Sequence, residues 1–541
     1  MSKTPIWKIA KCFHSNLKRK NTAKILKLSS GLGLGCAVAV NVAQTYDEGD
    51  VIDNVYGIGR FLRSLKVGLW ISIDYYFSMM GLDESSPNYR FMMSRIHQRA
   101  ADNILQGCLL NGGSYIKLGQ GLVSMSHILP REYISTLKAL QDKCLKREKD
   151  EVIEIFMNDF GKAPSEVFAK FEEVPIAAAS IAQVFKAETK DNQKVAVKVQ
   201  YKDLQARFKS DVVTIKALLS FAGWMHPNFN FAWVIDDLVD SLKQELDFVN
   251  EARNSQRCAK DLRHFGYIHV PQVFWEYTNT RILVTEFIDG YKISDVDNLK
   301  KDKFSLADIN RKLFEAFGHQ IFQTGFVHAD PHPGNILIRR HKGQTQLVLL
   351  DHGLYQEVSK KDRIALSHMW KAIIFNDHEN MKKYSRELGV ENHILFAEVL
   401  TQAPLRTHGF KLITKLTEED EKRMTEFARD RFDSIMDCIQ SMPRSLLLVL
   451  RNLNTIRSIS HDHGSPIDRY SVLARMATQK TYSHDSLTNR MVNIPLWMYF
   501  EFLLGFQRIC RWFRSLTLKI LQNFGLAPDI EKFMSEMNFA L

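Results

Sequence analysis

An aspartate and an asparagine five positions apart, Asp330 and Asn335, sit in the loop His328-Ala329-Asp330-Pro331-His332-Pro333-Gly334-Asn335. Two prolines stiffen this loop. An apolar stub, Phe326 and Val327, leads in, and a strand from Asn335 to Ile338 leads out. The pairing suits phosphoryl transfer, in which a carboxylate orients an attacking hydroxyl and an amide oxygen five residues on holds a phosphate-bound metal. Standing alone, the same residues also make a proline-rich turn whose Asp and Asn cap backbone groups. A second carboxylate narrows the choice. Asp351-His352-Gly353 directly follows the apolar strand Leu347 to Leu350. A carboxylate at a strand end suits magnesium, with the glycine letting the chain turn away.

Two further pieces lie upstream. Val195-Ala196-Val197-Lys198 ends an alternating run with a lysine that can reach α- and β-phosphates. Before it lies Pro175-Ile176-Ala177-Ala178-Ala179-Ser180-Ile181-Ala182-Gln183-Val184, where a nucleotide-binding hairpin would carry glycines. Alanine disfavours positive φ and puts a methyl where backbone N–H groups must approach phosphate, so this loop is expected to be stiffer and its phosphate grip altered. A long helical pattern from Trp233 to about Lys260 carries Glu245, Asp247 and Glu251. On one continuous helix Glu245 and Glu251 lie roughly 120° apart, while Asp247 and Glu251 are i,i+4 neighbours. Glu251 is therefore the expected partner of Lys198. Glu245 and Asp247 face something else, with Lys117-Leu118-Gly119-Gln120 as the candidate, since Lys117 and Gln120 share a helix face. His328, His332 and His352 near two aspartates also pose a transition-metal reading, which the magnesium reading of the same loop outweighs.

The elements that must hold these residues follow from the pattern. From Tyr89 to Phe171 it is helical, with polar joints at GKAPS and LPRE. QVFKAETKDNQKVAVKVQ then alternates around an Asp191-Asn192 turn, a hairpin signature. Strand-like runs follow at VPQVFWEY and RILVTEFIDG, and past Gly290 the chain is mostly helical. The expected fold is α+β: a small β-rich N-lobe and a larger helical C-lobe, kinase-like, with a helical extension over the active site. The boundaries fall at 1–46 (basic leader), 47–170 (extension), 171–290 (N-lobe), 291–480 (C-lobe) and 481–541 (terminal helical region).

Composition sets limits on this. With 45% apolar and 25% charged residues over 541 positions, the chain is neither disordered, collagen-like nor a polytopic membrane protein. Its 72 basic against 61 acidic residues give +11, too small an excess at this length to argue for nucleic acid. Seven scattered cysteines, Cys12, Cys36, Cys108, Cys144, Cys258, Cys438 and Cys510, read as free thiols. No acidic residue precedes Asp47, while Lys3 through Lys27 supply a basic leader of the kind mitochondrial import reads. The uncharged stretch that follows reads as part of a cleaved leader or as a single anchor. Val67 to Leu82, rich in aromatics, suits an interface-lying or packed helix. Met491 to Ile520 carries Arg508, Arg511 and Arg514 on one stripe. A terminal helix packed on the C-lobe is the expectation there, with an anionic membrane surface as the other reading.

Taken together, KLGQ at Lys117, AAAS at Ala177, ELD at Glu245 and HADPHPGN at His328 resemble the UbiB family of aarF-domain-containing atypical kinases, strongly from Tyr89 to Asp351. DHG at Asp351, where most kinases have DFG, is similar to the mitochondrial aarF-domain-containing protein kinase 1 subgroup. The resemblance implies ATP or ADP with Mg2+ as ligands. It implies Lys198 and Glu251 as the nucleotide-positioning pair, Asp330 as catalytic base, and Asn335 and Asp351 as magnesium ligands. Lys117 and Gln120 would fold over the site near Glu245 and Asp247. The nucleotide-binding set then runs from Ile176, Ala177, Ala178, Ala179, Ser180, Ile181, Ala182, Gln183 and Val184 to Lys198, Glu286 and Ile288. The family also implies lipid metabolism, membrane lipids as partners and a mitochondrial, inner-membrane setting. Ala329 replaces the arginine that usually precedes a protein kinase's base, and no Ala-Pro-Glu follows Asp351. A small-molecule or lipid acceptor, or ATP hydrolysis, fits better than protein phosphorylation. The alternative is a nucleotide switch without chemistry, favoured by the alanine loop and opposed by the intact Asp330, Asn335 and Asp351.

Overall fold

The computed structural model describes residues 51–79, 89–124, 131–142, 150–178, 181–202, 211–216, 242–402 and 441–481, with single positions at 208, 239, 435, 438 and along 498–520. The basic leader lies outside the described residues, as do Ala179, Ser180 and the arginine stripe at 508–514.

The extension consists of α1 (Val51–Met79), α2 (Tyr89–Asn111), α3 (Gly113–Ser124), α4 (Arg131–Leu137) and the single turn α5 (Ala139–Asp142). Apolar residues spaced three and four apart on α2, Met93, Ile96 and Ala100, pack with Tyr75 and Tyr89. Tyr115, Ile116, Leu137 and Leu140 close the other end. Among the described residues no helix is long and apolar enough to cross a membrane.

After α6 (Asp150–Phe160) and α7 (Pro164–Val167) the chain enters a five-stranded antiparallel sheet. Its strands are β1 (Lys170–Phe171), β2 (Ala177–Ala178), β3 (Ala182–Glu188), β4 (Lys194–Gln200) and, later in the chain, β6 (Ile282–Glu286). The order is β1-β3-β4-β6, with β2 also paired to β3. Asn192, at φ 60, turns the β3–β4 hairpin. Alternation decides the role of β4: Val195, Val197 and Val199 pack under α6 with Phe156 and Phe185. Lys198 is therefore sent to the opposite face, which is covered by α8 (Phe248–Leu262). Leu118 of α3 joins this second layer with Ile181, Leu246 and Phe248, so the extension packs directly against the start of β3.

The C-lobe has a second sheet, with the order β5-β10-β9-β7. It comprises β5 (Ile268–His269), β7 (Tyr291–Lys292), β9 (Ile336–His341) and β10 (Gln344–Leu349). A two-stranded piece pairs β8 (Phe326–His328) with β11 (Tyr355–Glu357). Beneath them lie α9 (Val296–Lys301), α10 (Leu306–His319), α11 (Lys360–Phe375), α12 (His378–Glu387), α13 (His393–Thr401), α14 (Arg444–Asp462) and α15 (Arg469–Thr481). They share one apolar core that includes Phe317, Trp370, Phe396, Val449 and Ile456. The chain is thus a kinase-like α+β fold of two lobes with a helical extension.

Two expectations need correction. VPQVFWEY is not a strand: Trp275–Tyr277 forms a 3-10 turn, and only Val273 bridges to Thr285. The helical pattern to Lys260 is broken ahead of Phe248, where Asp247 is extended and caps α8. Along the terminal region, the described positions Met498, Phe502, Phe506, Ile509, Phe513 and Ile520 are helical and exposed, and the rest of that helix, on which packing against the C-lobe depends, lies outside the described residues.

Candidate active site

The cleft between the lobes gathers charges from four elements. Lys198 Nζ lies 2.8 and 2.9 Å from the two carboxylate oxygens of Glu251, one turn into α8. The same ammonium is 3.9 Å from Asp351 Oδ2. Glu251 is buried, and burial pushes its carboxyl up to about 7 against the opposing pull of Lys198. Burial works against the charge on Lys198, but Asp351, Glu251 and Glu245 outweigh it and raise the ammonium above its ordinary value. Glu245 thus acts on Lys198 as well, which a continuous helix would not allow. The break at Leu246–Asp247 is the reason: the 100°-per-residue projection does not run across it. Asp247 is spent elsewhere, accepting from the N–H groups of Val249 and Asn250 as the cap of α8.

The opposite wall is the loop between β8 and β9. His328 is buried and hydrogen-bonded on all sides. Its N–H donates to Gln320 Oε1 at 3.0 Å, and its Nδ1 accepts from the Asp330 N–H at 3.1 Å. The proton therefore sits on Nε2, which donates to the Asp351 carbonyl at 2.7 Å. One histidine thereby ties the aspartate of the loop to the aspartate of the DHG segment. The Leu350 N–H donates to the Asn335 carbonyl at 2.9 Å, bringing the start of β9 beside the end of β10. Gly353 N–H donates to Asp351 Oδ1 at 2.9 Å. A Cβ on Gly353 would come within 3.3 Å of that oxygen, so glycine keeps the carboxylate's turn open.

His352 replaces the phenylalanine of a DFG segment and is just as buried. It donates from Nε2 to the Leu349 carbonyl and accepts at Nδ1 from the Tyr355 hydroxyl, 3.1 and 2.9 Å away. Burial lowers it to about 3, so it stays neutral. Asn254 of α8 donates to the His352 carbonyl at 3.1 Å, locking the helix that carries Glu251 onto the DHG segment. His332, exposed, accepts from the Gly334 N–H. His328 and His352 thus have both ring nitrogens engaged, and no group of three His, Cys, Asp or Glu side chains placed to hold a metal ion occurs among the described residues.

The other expected residues are distributed unevenly. Ala177 and Ala178 form β2, paired with Val184 and Gln183 of β3. Ile176 is exposed, whereas Ile181 and Ala182 are buried under Leu118. Glu286 commits its carboxylate to His269, 2.7 Å away, with Arg339 at 3.9 Å. Ile288 packs with Leu337 and Val348 in a small buried cluster. Gln120 turns away from the cleft and donates to the Leu140 carbonyl at 2.8 Å. A Cβ on neighbouring Gly119 would lie 2.3 Å from Leu140, so the glycine lets α3 and α5 meet. Lys117 lies on α3, but its side chain is outside the described residues.

Two residues of α14 enter the site without any forecast from the sequence. Arg451 Nη2 lies 3.0 Å from Asp330 Oδ2. Its neighbour Asn452, buried, donates to the His328 carbonyl at 2.6 Å. The one available signal is a polar Asn452 set among the buried Leu446, Val449, Leu453 and Ile456 of an apolar helix face.

The chain is similar to several known proteins. Residues 139–385 match the ABC1 atypical kinase-like domain. The "Probable serine/threonine-protein kinase abkD" of Dictyostelium discoideum is 39% identical over 440 residues, 81% of this chain and 63% of that protein's length. AarF domain-containing protein kinase 1 of Mus musculus is 34% identical over 457 residues, 82% of this chain and 85% of its own. Among solved structures, the Rv3197–erythromycin complex from Mycobacterium tuberculosis aligns with 72% of this chain and 97% of that one, at 19% identity and a TM-score of 0.47.

Proposed function

This chain belongs to the ABC1 (AarF) family of atypical kinases, and we propose that it transfers the γ-phosphoryl group of ATP to a small molecule, a lipid or water. The observation that carries the reading is the convergence in one cleft of Lys198, Glu251 and Asp351 with the loop bearing Asp330 and Asn335. In this reaction an acceptor hydroxyl gives its proton to Asp330. Its oxygen bonds to the γ-phosphorus as the bond to the bridging oxygen breaks, leaving ADP. Lys198, held by Glu251, positions the nucleotide phosphates. Three carboxylates, Asp351, Glu251 and Glu245, act on the single ammonium of Lys198, a surplus of negative charge that suits a divalent cation. Asn335 and Asp351 are the residues that would hold magnesium, which when bound neutralises charge on the transferred group.

Two features support an acceptor other than a protein. Buried Ala329 precedes Asp330 where a guanidinium would pair with a phosphorylated loop, and α11 begins at Lys360, soon after β11. The basic leader supports a mitochondrial location. The exposed apolar positions Met498 to Ile520, interleaved with arginines, support contact with membrane lipid and a role in lipid homeostasis.

ATP turnover by the full chain with magnesium, with and without anionic-lipid vesicles, tests this beside Asp330→Asn and Asp351→Asn. Turnover stimulated by lipid and reduced about 10²–10⁴-fold in Asp330→Asn is the expected result. Tight nucleotide binding with no turnover under any condition would leave a nucleotide switch, the reading that the alanines of β2 favour.

A further inference from the structure

The loop that carries Asp330 lacks the arginine that normally precedes a kinase base, yet Asp330 is not without a guanidinium. Arg451 reaches it from α14, 3.0 Å from Oδ2. The helix that delivers it is fixed on three sides. Leu446, Val449, Leu453, Ile456 and Ile459 are buried in the C-lobe core. Asn452 clamps the His328 carbonyl. At the helix end, His463 bonds both Asn310 and the Ile293 carbonyl, each at 2.8 Å. An arginine on so constrained a helix presents its fork in one place, and a carboxylate beside it loses rotational freedom.

We propose that Arg451 is the positioning residue for Asp330: it holds Oδ2 so that Oδ1 is turned to the acceptor's hydroxyl. The assignment rests on the reading of Asp330 as the base. It makes the far carboxy-terminal part of the C-lobe, beyond the segment that matches the family domain at 139–385, an integral part of the catalytic geometry. Arg451 is assigned to act through Asp330 and not on the nucleotide, because its ion pair is with that carboxylate, whereas Lys198 pairs with Glu251 and Asp351.

The test is ATP turnover and nucleotide affinity of the full chain in wild type, Arg451→Ala, Arg451→Lys and Asn452→Ala, with guanidinium chloride at millimolar concentration as a chemical probe. Arg451→Ala is expected to lower kcat by about 10- to 100-fold, the loss of one charge-assisted bond, with nucleotide Kd changed less than about 2-fold. Added guanidinium is expected to restore part of the rate in Arg451→Ala and none in Asp330→Asn. Arg451→Lys, which keeps the charge but not the fork, is expected to fall between. Thermal unfolding of Arg451→Ala and Asn452→Ala separates lost positioning from lost docking of α14, since only the former is rescued by guanidinium. Wild-type turnover unchanged by Arg451→Ala, or an equal loss of affinity and rate without rescue, overturns the assignment alone. A rise in rate would make the pair a latch and overturn it too. Absence of turnover in the wild type sinks the catalytic reading and this assignment with it.

Discussion

On the catalytic wall of the cleft, the polar groups around Asp330 are densely tied to one another. His328 is bonded at four of its atoms, His352 at both ring nitrogens, and Arg451 and Asn452 close over the loop from α14. On the phosphate wall, Val174 and Ile176 are exposed and Ala177–Ala178 is held by a two-residue strand pairing. In terms of the proposed reaction, the difference teaches that order is densest where the proton would move and a metal would sit, while Ala177–Ala178 on the proposed phosphate side is held by one short strand pairing. Kinase chemistry needs such order at the base and the metal ligands, because misplacement of either by about 1 Å costs orders of magnitude in rate.

Acid separates the two walls most strongly. His328, His352 and His463 are buried, and burial lowers all three from the ordinary histidine value, His352 to about 3. The unfolded chain takes up their protons below pH ~6.5 while the folded chain takes them up only at lower pH, so the stability they contribute is present above that pH and lost as pH falls. Each contributes up to about 1.4 kcal/mol per pH unit over that window. Thermal unfolding between pH 7 and 5 should show the C-lobe midpoint falling steeply, and His352→Phe should flatten the slope. A midpoint independent of pH would show that the catalytic wall is not built on neutral histidines.

Lys198→Met comes next. It strips the one cation from Glu251, whose side chain is 2% exposed, and breaking a buried pair costs about 3–5 kcal/mol. Glu251 can escape by taking a proton, and its carboxyl already stands at about 7 in the intact pair. Its folded value is raised, so the penalty for ionising it grows as pH rises through that value. The destabilisation should accordingly be larger at pH 8 than at pH 6, and Glu251→Gln in the same background should erase the difference. Equal loss at both values would mean that Glu251 does not titrate there.

The same contrast explains what could be seen in the sequence. Local pattern was enough for the hairpin that carries Lys198, for the order of the motifs and for the strand ahead of Asp351. It placed Glu251 on a helix facing Lys198, where the structure has it. It failed where a short-range rule was extended too far. The helical pattern runs on through Asp247, although Asp followed by an apolar residue is also a helix start, and the cap formed there leaves Glu245 free to act on Lys198. VPQVFWEY has strand composition, but it meets the free edge of β6 at one bridge, Val273 to Thr285, before the chain turns into the 3-10 segment Trp275–Tyr277. Arg451 was invisible for another reason: its partner lies in a different element of the chain, and no periodicity links a helix to a loop it will meet only after folding.

The smallest effect belongs to the phosphate wall. Ala177→Gly and Ala178→Gly alter residues that are exposed or half-buried, in a strand pair two residues long. Little packing is lost, so the entropic cost of glycine, about 0.5–1 kcal/mol, bounds the change in stability. Binding should respond in the other direction. Without the methyl groups a backbone N–H can approach phosphate closely, and one added hydrogen bond is worth about 1 kcal/mol, or roughly fivefold in affinity. Calorimetric titration of the full chain with ADP and magnesium should therefore show tighter binding for Ala177→Gly or Ala178→Gly, with a thermal midpoint near that of wild type. If affinity fell instead, the alanines would themselves be part of the phosphate grip. The two walls would then differ in how they hold their ligands, and not in how firmly they are built.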